Sequence, residues 1–167
     1  MNKAQARAGL FGLSLLIIIL DRITKLWVAS HVELYFGSIT IIPNLFSITH
    51  VENPGAAFSL LADASPLVRS AVLITFSSLA MVVVGFVLWR MGREWTVMNA
   101  GLALVLGGAV GNLWDRVVRH KVTDFFHFYI GNWSWPDFNV ADSAIVVGAC
   151  MLMLQIIFAK SSSTSTA

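Results

Sequence analysis

The chain has 167 residues, of which 57% are apolar and 12% are charged, and its mean hydropathy is +0.76. This composition excludes an ordinary soluble domain of that length and indicates a polytopic membrane protein. The net charge is only +2 and the basic residues are scattered, which argues against a nucleic-acid-binding surface. A single cysteine, Cys150, lies in an apolar stretch, so no internal disulfide and no cysteine metal site is expected.

The first predicted element is a membrane-spanning helix from about residue 8 to residue 29. Two basic residues precede its apolar run. Asp21 and Lys25 stand four residues apart near its far end, so they form an acid–base pair on one helix face. The same pattern is compatible with a cleavable signal peptide that ends near Val28-Ala29-Ser30. Because the helical pattern continues through Lys25 to a full spanning length, we favour a span with a buried scaffold pair.

The segment from about residue 31 to 58 has the pattern of a small β-sheet. Its β-branched and aromatic residues alternate with polar ones between glycines and prolines, which predicts two or three short strands. Open strands would leave backbone groups unpaired in lipid, so this sheet should lie at the membrane interface or outside it. The segment ends in the turn sequence Asn53-Pro54-Gly55, and the small residues after it predict a short, closely packed helix.

Three further spans and a second β segment complete a predicted single domain of residues 1–167. The β segment covers about 122–138 and includes the hairpin turn Gly131-Asn132 between two aromatic stretches. The final residues, 160–167, are rich in serine and threonine and are predicted to form a disordered tail. The three spans are predicted at about 67–89, 95–114 and 140–159.

Small residues recur four positions apart in the last two spans. The pairs are Gly107 with Gly111 and Ala144 with Gly148. Small side chains at this spacing allow helix backbones to approach closely in a membrane, so we expect tight packing at these positions.

Four spans place both chain termini on the same side of the membrane. If that side is the cytoplasm, five basic residues lie in short inner segments and six in much longer outer ones, as the positive-inside rule favours. Eight of the nine acidic residues then fall on the outer side. We therefore expect the functional site at the outer face. The five inner basic residues are Lys3, Arg7, Arg90, Arg93 and Lys160.

Polar residues concentrate at the neighbouring ends of the third and fourth spans. They are Asn112, Asp115 and Arg116, then Asp124 in the β segment, then Asn139, Asp142 and Ser143. Each helix-borne set is spaced i, i+3 and i+4 and so shares one face. Ionisable residues at a membrane boundary are costly and usually mark a functional site. Two carboxylates that share a proton can activate a water molecule, so this pattern is typical of an aspartic peptidase.

Each of these residues also has a structural interpretation. Asp142 in the first turn of a helix is stabilised by the helix dipole, with Asn139 as a cap. Asp115 beside Arg116 most simply forms a salt bridge that positions the arginine, and Asp137 beside turn residues would be solvated. A magnesium enzyme would usually carry carboxylates one helical turn apart, which this chain lacks, so we expect no metal and no cofactor.

Five short motifs resemble those of bacterial signal peptidase II, the lipoprotein signal peptidase family. They occur in the family's order and cover most of the chain. One departure is Thr123, a position at which the family commonly carries an apolar residue. The motifs are Asp21-Arg-Ile-Thr-Lys25, Asn53-Pro-Gly-Ala-Ala-Phe58, Gly111-Asn-Leu-Trp-Asp-Arg116, Val122-Thr-Asp-Phe125 and Phe138-Asn-Val-Ala-Asp-Ser143.

The resemblance implies a fold, an activity and a location. The fold is four transmembrane helices with a small β-sheet cradle and a short interfacial helix on the outer, periplasmic face of the bacterial inner membrane. The activity is an aspartyl endopeptidase that removes the signal peptide from diacylglyceryl-modified prolipoproteins, cutting just before the lipidated cysteine. The expected partners are lipidated prolipoproteins and membrane lipids, without nucleic acid, and we expect a monomer.

The resemblance also implies residue roles. Asp124 and Asp142 fall on the catalytic positions. The positions that line the substrate site are Asn53, Gly55, Asn112, Arg116 and Asn139, and the supporting positions are Asp21, Lys25 and Asp115. We further hypothesise that Asp142, at a helix N-terminus, is the anionic member of the pair and that Asp124, beside two phenylalanines, carries the proton.

Two other classes of function remain open at this point. A small transporter could use the buried charges around Asp21 and Lys25 as a proton or ion relay, although transport sites usually lie at the membrane midplane between internal repeats. A non-catalytic assembly partner is the second alternative, and its aspartates would tolerate replacement by asparagine.

Overall fold

The structure, a computed structural model, describes residues 1–55 and 65–164, and their side chains as far as residue 158. Within these ranges the chain forms four helices and four strands. The short helix predicted after Gly55 falls on residues 56–64, outside the described ranges. In chain order the elements are α1 (Lys3–His31), β1 (Ser38–Ile42), β2 (Phe46–Asn53), α2 (Pro66–Met91), α3 (Val97–Arg119), β3 (Val122–Ile130), β4 (Trp133–Ser134) and α4 (Val140–Thr164).

Local sequence explains where the first three helices begin. Asn2 caps α1 and exchanges hydrogen bonds with Gln5 in a capping box. Ser65 caps α2 and is followed by a proline in the first turn, where the missing N–H is harmless. The Thr96 hydroxyl accepts a hydrogen bond from the Asn99 backbone N–H at the start of α3.

The fourth helix extends further than the sequence pattern indicated. α4 continues to Thr164, beyond residue 160, where we predicted that a disordered tail begins. Serine and threonine lower helix stability by less than about 0.7 kcal/mol per residue relative to alanine, so an established helix can continue through a few of them.

Helix α3 is the centre of the bundle and contacts α1, α2 and α4. The main apolar cluster joins Leu10 of α1, Leu88 of α2 and Ala103 of α3, all of which are buried. Between α3 and α4 the backbones nearly touch, since a Cβ atom on Gly108 would lie 2.3 Å from the Ala141 carbonyl oxygen. At the predicted positions, a Cβ on Gly107 would lie 2.7 Å from the Ser14 carbonyl oxygen and one on Gly148 would lie 2.6 Å from the Gly101 carbonyl oxygen, so the close packing predicted for these glycines is confirmed.

The strands form one antiparallel sheet in the order β1-β2-β3-β4. The Gly131-Asn132 turn joins β3 to β4, as predicted, and Gly131 has the positive φ that this hairpin turn requires. A second apolar cluster, formed by Val28, Val32 and Phe125, packs the sheet against the end of α1. The sheet therefore sits at the end of the bundle where α1 and α3 finish and α4 begins.

Three of the described helices, α2, α3 and α4, are long and apolar enough to cross a membrane. Large apolar side chains face outward on α2 and α4, where Phe76 is 69% and Ile156 is 62% exposed. Helix α1 is 29 residues long but carries charged residues in its C-terminal half and is not among the three. It is nevertheless part of the bundle, because Leu10 and Asp21 are both buried against other helices.

Candidate active site

Asp124 is a buried carboxylate near the start of β3. Its Oδ1 accepts a hydrogen bond from the Asn139 Nδ2 at 2.6 Å, and its Oδ2 accepts one from the Asn53 Nδ2 at 3.0 Å. Asn53 is the last residue of the neighbouring strand β2. Two side-chain amides, one from the sheet and one from the start of α4, therefore hold this carboxylate in place.

Asp142 lies in the first turn of α4. The Asn139 side chain accepts a hydrogen bond from the Asp142 backbone N–H at 2.9 Å, and the Asp142 Oδ2 accepts one from the Asn139 N–H at 3.2 Å. This reciprocal pair is a capping box. The Asp142 Oδ1 also accepts a 2.7 Å hydrogen bond from the Asn112 Nδ2. The predicted role of Asp142 at the start of the helix, with Asn139 as a cap, is thus confirmed. The other carboxylate oxygen of Asp142 faces α3.

Asn139 connects the two aspartates. Its side chain donates to Asp124 and its backbone N–H donates to Asp142, and it is fully buried. Asn112 of α3 accepts a further hydrogen bond from the Asn139 side chain at 3.3 Å. The carboxylates from β3 and α4 are therefore parts of one polar network, which can hold a proton and a water molecule between them.

Burial and neighbouring charges both change the pKa of Asp124. Removal from water raises the pKa of Asp124, and the neighbouring carboxylate of Asp142 raises it further. Hydrogen bonds from Asn53 and Asn139 and the charge of Lys25 lower it, and the resulting pKa is about 7. Asp124 therefore carries a proton through the acidic range, in agreement with the hypothesis drawn from its phenylalanine neighbours.

A buried ion cluster supports this network from α1. The Lys25 Nζ lies 2.7 Å from the Asp21 Oδ2 and 2.8 Å from the Asp115 Oδ2, and it donates to the Asn112 Oδ1 at 3.2 Å. The Asp21 Oδ1 accepts a hydrogen bond from the Ala141 backbone N–H at 2.9 Å. Asp21 thereby satisfies an otherwise unpaired N–H in the first turn of α4. The predicted Asp21–Lys25 scaffold pair is confirmed.

The predicted salt bridge between Asp115 and Arg116 is wrong. Asp115 pairs with Lys25 and, at 3.2 Å, with Arg22. Adjacent residues on a helix point in different directions, so Asp115 faces α1 while Arg116 does not share that partner. Arg116 donates to the Asn112 carbonyl oxygen at 3.3 Å, and its buried Nε has no hydrogen-bond partner among the described residues.

The structure brings the predicted site residues into one region. Gly55 joins through Asn53, whose side-chain oxygen accepts a hydrogen bond from the Gly55 N–H at 2.8 Å. The backbone of Gly55 has φ +95°, which strongly favours glycine. No group of three histidine, cysteine or carboxylate side chains suited to a metal ion occurs within residues 1–55 and 65–164.

Two polar groups beside the site were missed by the sequence analysis. Glu52 is buried and pairs with Arg119 and Lys121, and Arg119 also donates to Thr123. Asp137, which we expected to be solvated, instead lies 2.5 Å from His127 and accepts a hydrogen bond from Thr49. The partners lie on other strands, at the end of α3 or in the turn before β3, so no local spacing could have revealed them.

The chain matches a family model described as signal peptidase (SPase) II over residues 13–158. It is 40% identical to a lipoprotein signal peptidase of Solibacter usitatus, with 90% of this chain and 91% of that protein covered. It is 43% identical to one of Desulforapulum autotrophicum, with 88% and 90% covered, and 41% identical to one of Yersinia pestis, with 93% and 91% covered.

One solved structure similar to this chain is a bacterial membrane enzyme determined by the in meso method at 2.3 Å resolution. The TM-score is 0.81 at 23% sequence identity, with 93% of this chain and 91% of that chain covered. The likeness shows a shared fold. Together with the sequence matches, it confirms the resemblance predicted from the five motifs.

Proposed function

This chain belongs to the signal peptidase II family and is an aspartic endopeptidase, and from that premise we propose that it removes the signal peptide from diacylglyceryl-modified prolipoproteins. Cleavage occurs just before the lipidated cysteine. The transporter and assembly-partner alternatives are set aside, because the family is one of hydrolases. The proposal rests on the two hydrogen bonds that Asn139 donates, one from its side chain to Asp124 and one from its backbone N–H to Asp142.

The proposed reaction begins with Asp124 protonated and Asp142 ionised. Asp142 accepts a proton from a water molecule, and the water oxygen attacks the carbonyl carbon of the scissile peptide bond. Asp124 gives its proton to the carbonyl oxygen, which produces a tetrahedral diol. Asp142 then passes its proton to the leaving nitrogen while Asp124 takes one from the diol, so that the C–N bond breaks and both carboxyl groups return to their starting states.

The remaining site residues hold the substrate backbone in this proposal. Arg116 reaches the same region as both aspartates, and its Nε, which has no hydrogen-bond partner in the described part of the chain, can donate to a peptide carbonyl oxygen of the substrate. Asn112 and Asn53 already fix the two carboxylates, so they restrict where the scissile bond can lie. Gly55 keeps the turn beside Asn53 in a shape that other residues would strain.

We place the protein in the bacterial inner membrane as one domain and a monomer. In this arrangement α1 is a fourth span, both termini are cytoplasmic, and the sheet and the aspartates lie at the outer face. The lipid part of the substrate then enters from the bilayer, and the extended peptide reaches the aspartates along the sheet. Membrane lipids surround the apolar outer surfaces of α2 and α4, where Phe76 and Ile156 are exposed.

Cleavage of a purified lipidated prolipoprotein tests the proposal. We expect the wild-type chain to cut it, and we expect Asp124→Asn and Asp142→Asn each to lose at least about a hundredfold in kcat, as for loss of an acid–base partner. Asparagine keeps an acceptor for the Asn139 N–H at position 142, so the start of α4 should stay folded.

Glu33→Gln is the matched control, because it converts an exposed carboxylate into an amide in the connection between α1 and the sheet. It should retain full activity. An unlipidated form of the same prolipoprotein tests the substrate class and should be cut far more slowly. Near-normal activity of either aspartate variant would contradict the catalytic pair, and an inactive wild-type chain would contradict the proposed substrate.

A further inference from the structure

A group of charged residues lies on the face of the sheet opposite the catalytic aspartate. Glu52 of β2 has a side chain that is only 6% exposed, and it pairs with two cations. Its Oε1 lies 3.0 Å from the Arg119 Nη2, and its Oε2 binds Lys121. The Arg119 Nη1 donates to the Thr123 hydroxyl at 3.1 Å. We call Glu52, Arg119 and Thr123 the register clamp.

The register clamp joins three elements at one point. Arg119 is the last residue of α3, Glu52 lies in β2 and Thr123 lies in β3. Glu52 and Thr123 are directly opposite each other in the antiparallel pair. One planar guanidinium therefore reaches both strands and fixes their relative position, which a single-point cation such as lysine would not do equally well.

The residues next to the register clamp are those that hold the catalytic carboxylate. Asn53 follows Glu52 and Asp124 follows Thr123, so their side chains point to the other face of the sheet. There they lie diagonally across the two strands, since Asn53 is opposite Val122 while Asp124 is opposite Val51. The 3.0 Å hydrogen bond between them exists only in this register.

The strands need such a lock at this place. The pairing of β2 with β3 is interrupted between Ile48 and Val51, so the last three pairs are separated from the rest of the ladder. β2 ends immediately afterwards, at Asn53, and the pair of Asn53 with Val122 is the last one of the ladder among the described residues. The Glu52 carboxylate is also largely removed from solvent, which strengthens its attraction to Arg119.

From this geometry we propose that Glu52 and Arg119 are positioning residues, which set the strand register that brings Asn53 to Asp124. The proposal rests on the proposed peptidase reaction and adds to it a pair that does not touch the substrate. Thr123 receives a role as well. Its hydroxyl is the acceptor that connects Arg119 to the strand that bears the catalytic aspartate.

Loss of the register clamp has a defined consequence for catalysis. The Asn53 hydrogen bond favours the ionised form of Asp124, so without it the pKa of Asp124 rises further above its ordinary value. The other charged groups near Asp124 are Asp142 of α4, Arg116 of α3 and Lys25 of α1, and they stay in place. A merely destabilised protein would lose active molecules without any change in this proton affinity.

The test compares Glu52→Gln, Arg119→Gln and the double variant with wild type in the same cleavage assay. We expect each single variant to lower kcat about tenfold and to leave KM within about twofold, as for a change in transition-state interactions alone. The alkaline limb of the pH–rate profile, where loss of the Asp124 proton lowers the cleavage rate, should move up by about half a pH unit. The double variant should be no worse than the singles, because both remove the same contact. Asn53→Ala should give the same displacement of the limb.

A second measurement does not depend on turnover. The infrared C=O band of a protonated carboxyl group that disappears in Asp124→Asn reports the proton on that residue directly. Its titration midpoint should be higher in Glu52→Gln than in wild type and unchanged in Glu33→Gln, the exposed control. If wild type fails to cut lipidated substrate, the proposed function fails while this titration still tests the register clamp. An unchanged midpoint in Glu52→Gln, or an equal change in Glu33→Gln, would overturn the inference.

Discussion

At Asp124 and Asp142 two identical side chains are placed in different surroundings. Asp124 is buried in the sheet beside another carboxylate, which raises its pKa to about 7. Asp142 receives N–H donors from Asn112 and Asn139 at the positive end of a helix, where a negative charge is stabilised. The raised pKa of Asp124 supports the proposed reaction, in which Asp124 supplies the proton.

The pH profile of cleavage follows from that assignment. Below pH 7 Asp124 is protonated and can act as the acid, and as the pH rises through about 7 the proton is lost and activity falls. We expect kcat/KM for lipidated substrate to decline about tenfold per pH unit on the alkaline side, since one proton is required.

Purified enzyme assayed between about pH 5 and pH 9 checks this, with substrate solubility monitored at each value. The apparent pKa of this fall in rate belongs to the coupled pair of aspartates rather than to one residue. The infrared band that is lost in Asp124→Asn therefore identifies which residue holds the proton. A flat profile above pH 7 would show that Asp124 is not the proton donor.

The contrast between Asp21 and Asp115 shows what residue spacing can predict. The Asp21–Lys25 pair follows from helical periodicity, because residues four apart lie side by side on any helix. The partner of Asp115 depends on how α1 packs against α3, which no local spacing specifies. The same reason explains Asp137, whose neighbouring turn residues suggested solvent but whose partners His127 and Thr49 come from two different strands.

At the scale of elements, the contact between α3 and α4 sets the distance between Asn112 and Asp142 in the polar network. Gly101 and Gly148 face each other, and a Cβ on Gly148 would lie 2.6 Å from the Gly101 carbonyl oxygen. Gly108 is closer still to Ala141, which lies beside Asp142, since its Cβ would be 2.3 Å from the Ala141 carbonyl oxygen. The helices can therefore bring Asn112 to the Asp142 carboxylate only because side chains are absent at these positions.

Gly108→Ala should disturb both stability and activity. The added methyl group would lie 2.3 Å from the Ala141 carbonyl oxygen, so α4 must move away from α3. We expect a loss of about 1–3 kcal/mol, typical of overpacking, and a fall in kcat because Asp142 moves with the helix. Thermal unfolding in detergent and the cleavage assay measure the two effects.

Gly12→Ala is the matched control for this substitution. It makes the same change within a helix, but the added methyl group meets nothing within 4 Å. Alanine should stabilise α1 slightly, by about 0.5–1 kcal/mol, through its higher helix propensity. Equal destabilisation by both variants would contradict the close-contact explanation.

For the sheet, the sequence predicts the strands but not all of their pairing. Alternation and turn residues predicted strands in both β segments and the hairpin at Gly131-Asn132. They did not predict that β2 pairs with β3, which are separated by two helices in the chain. The pairing decides that Asn53 meets Asp124, and so the motif resemblance, rather than periodicity, connected these residues before the structure did.

At the scale of the whole molecule, the charges divide the bundle into two ends. The aspartates, the ion cluster of Asp21 and Lys25, and the sheet occupy the end where α3 finishes. The opposite end carries basic residues such as Arg7, whose guanidinium lies 4.4 Å from the Trp89 ring centre. The basic residues of this end outnumber its acidic residue Glu94, which favours the cytoplasmic side, and the aromatic contact is typical of a residue near the membrane interface.

The orientation predicts which positions a membrane-impermeant maleimide can reach. In a Cys150→Ser background, we expect Asn132→Cys, in the turn between β3 and β4, to react in intact spheroplasts. Lys3→Cys at the start of α1 and Glu94→Cys between α2 and α3 should react only after permeabilisation. Each failure has a distinct meaning. If α1 does not cross the membrane, Lys3→Cys reacts together with Asn132→Cys, whereas an inverted protein exposes Lys3→Cys and Glu94→Cys but protects Asn132→Cys. Because α1 is about 43 Å long at 1.5 Å per residue, its charged C-terminal half can reach the outer interface while its first apolar turns still span the hydrocarbon core.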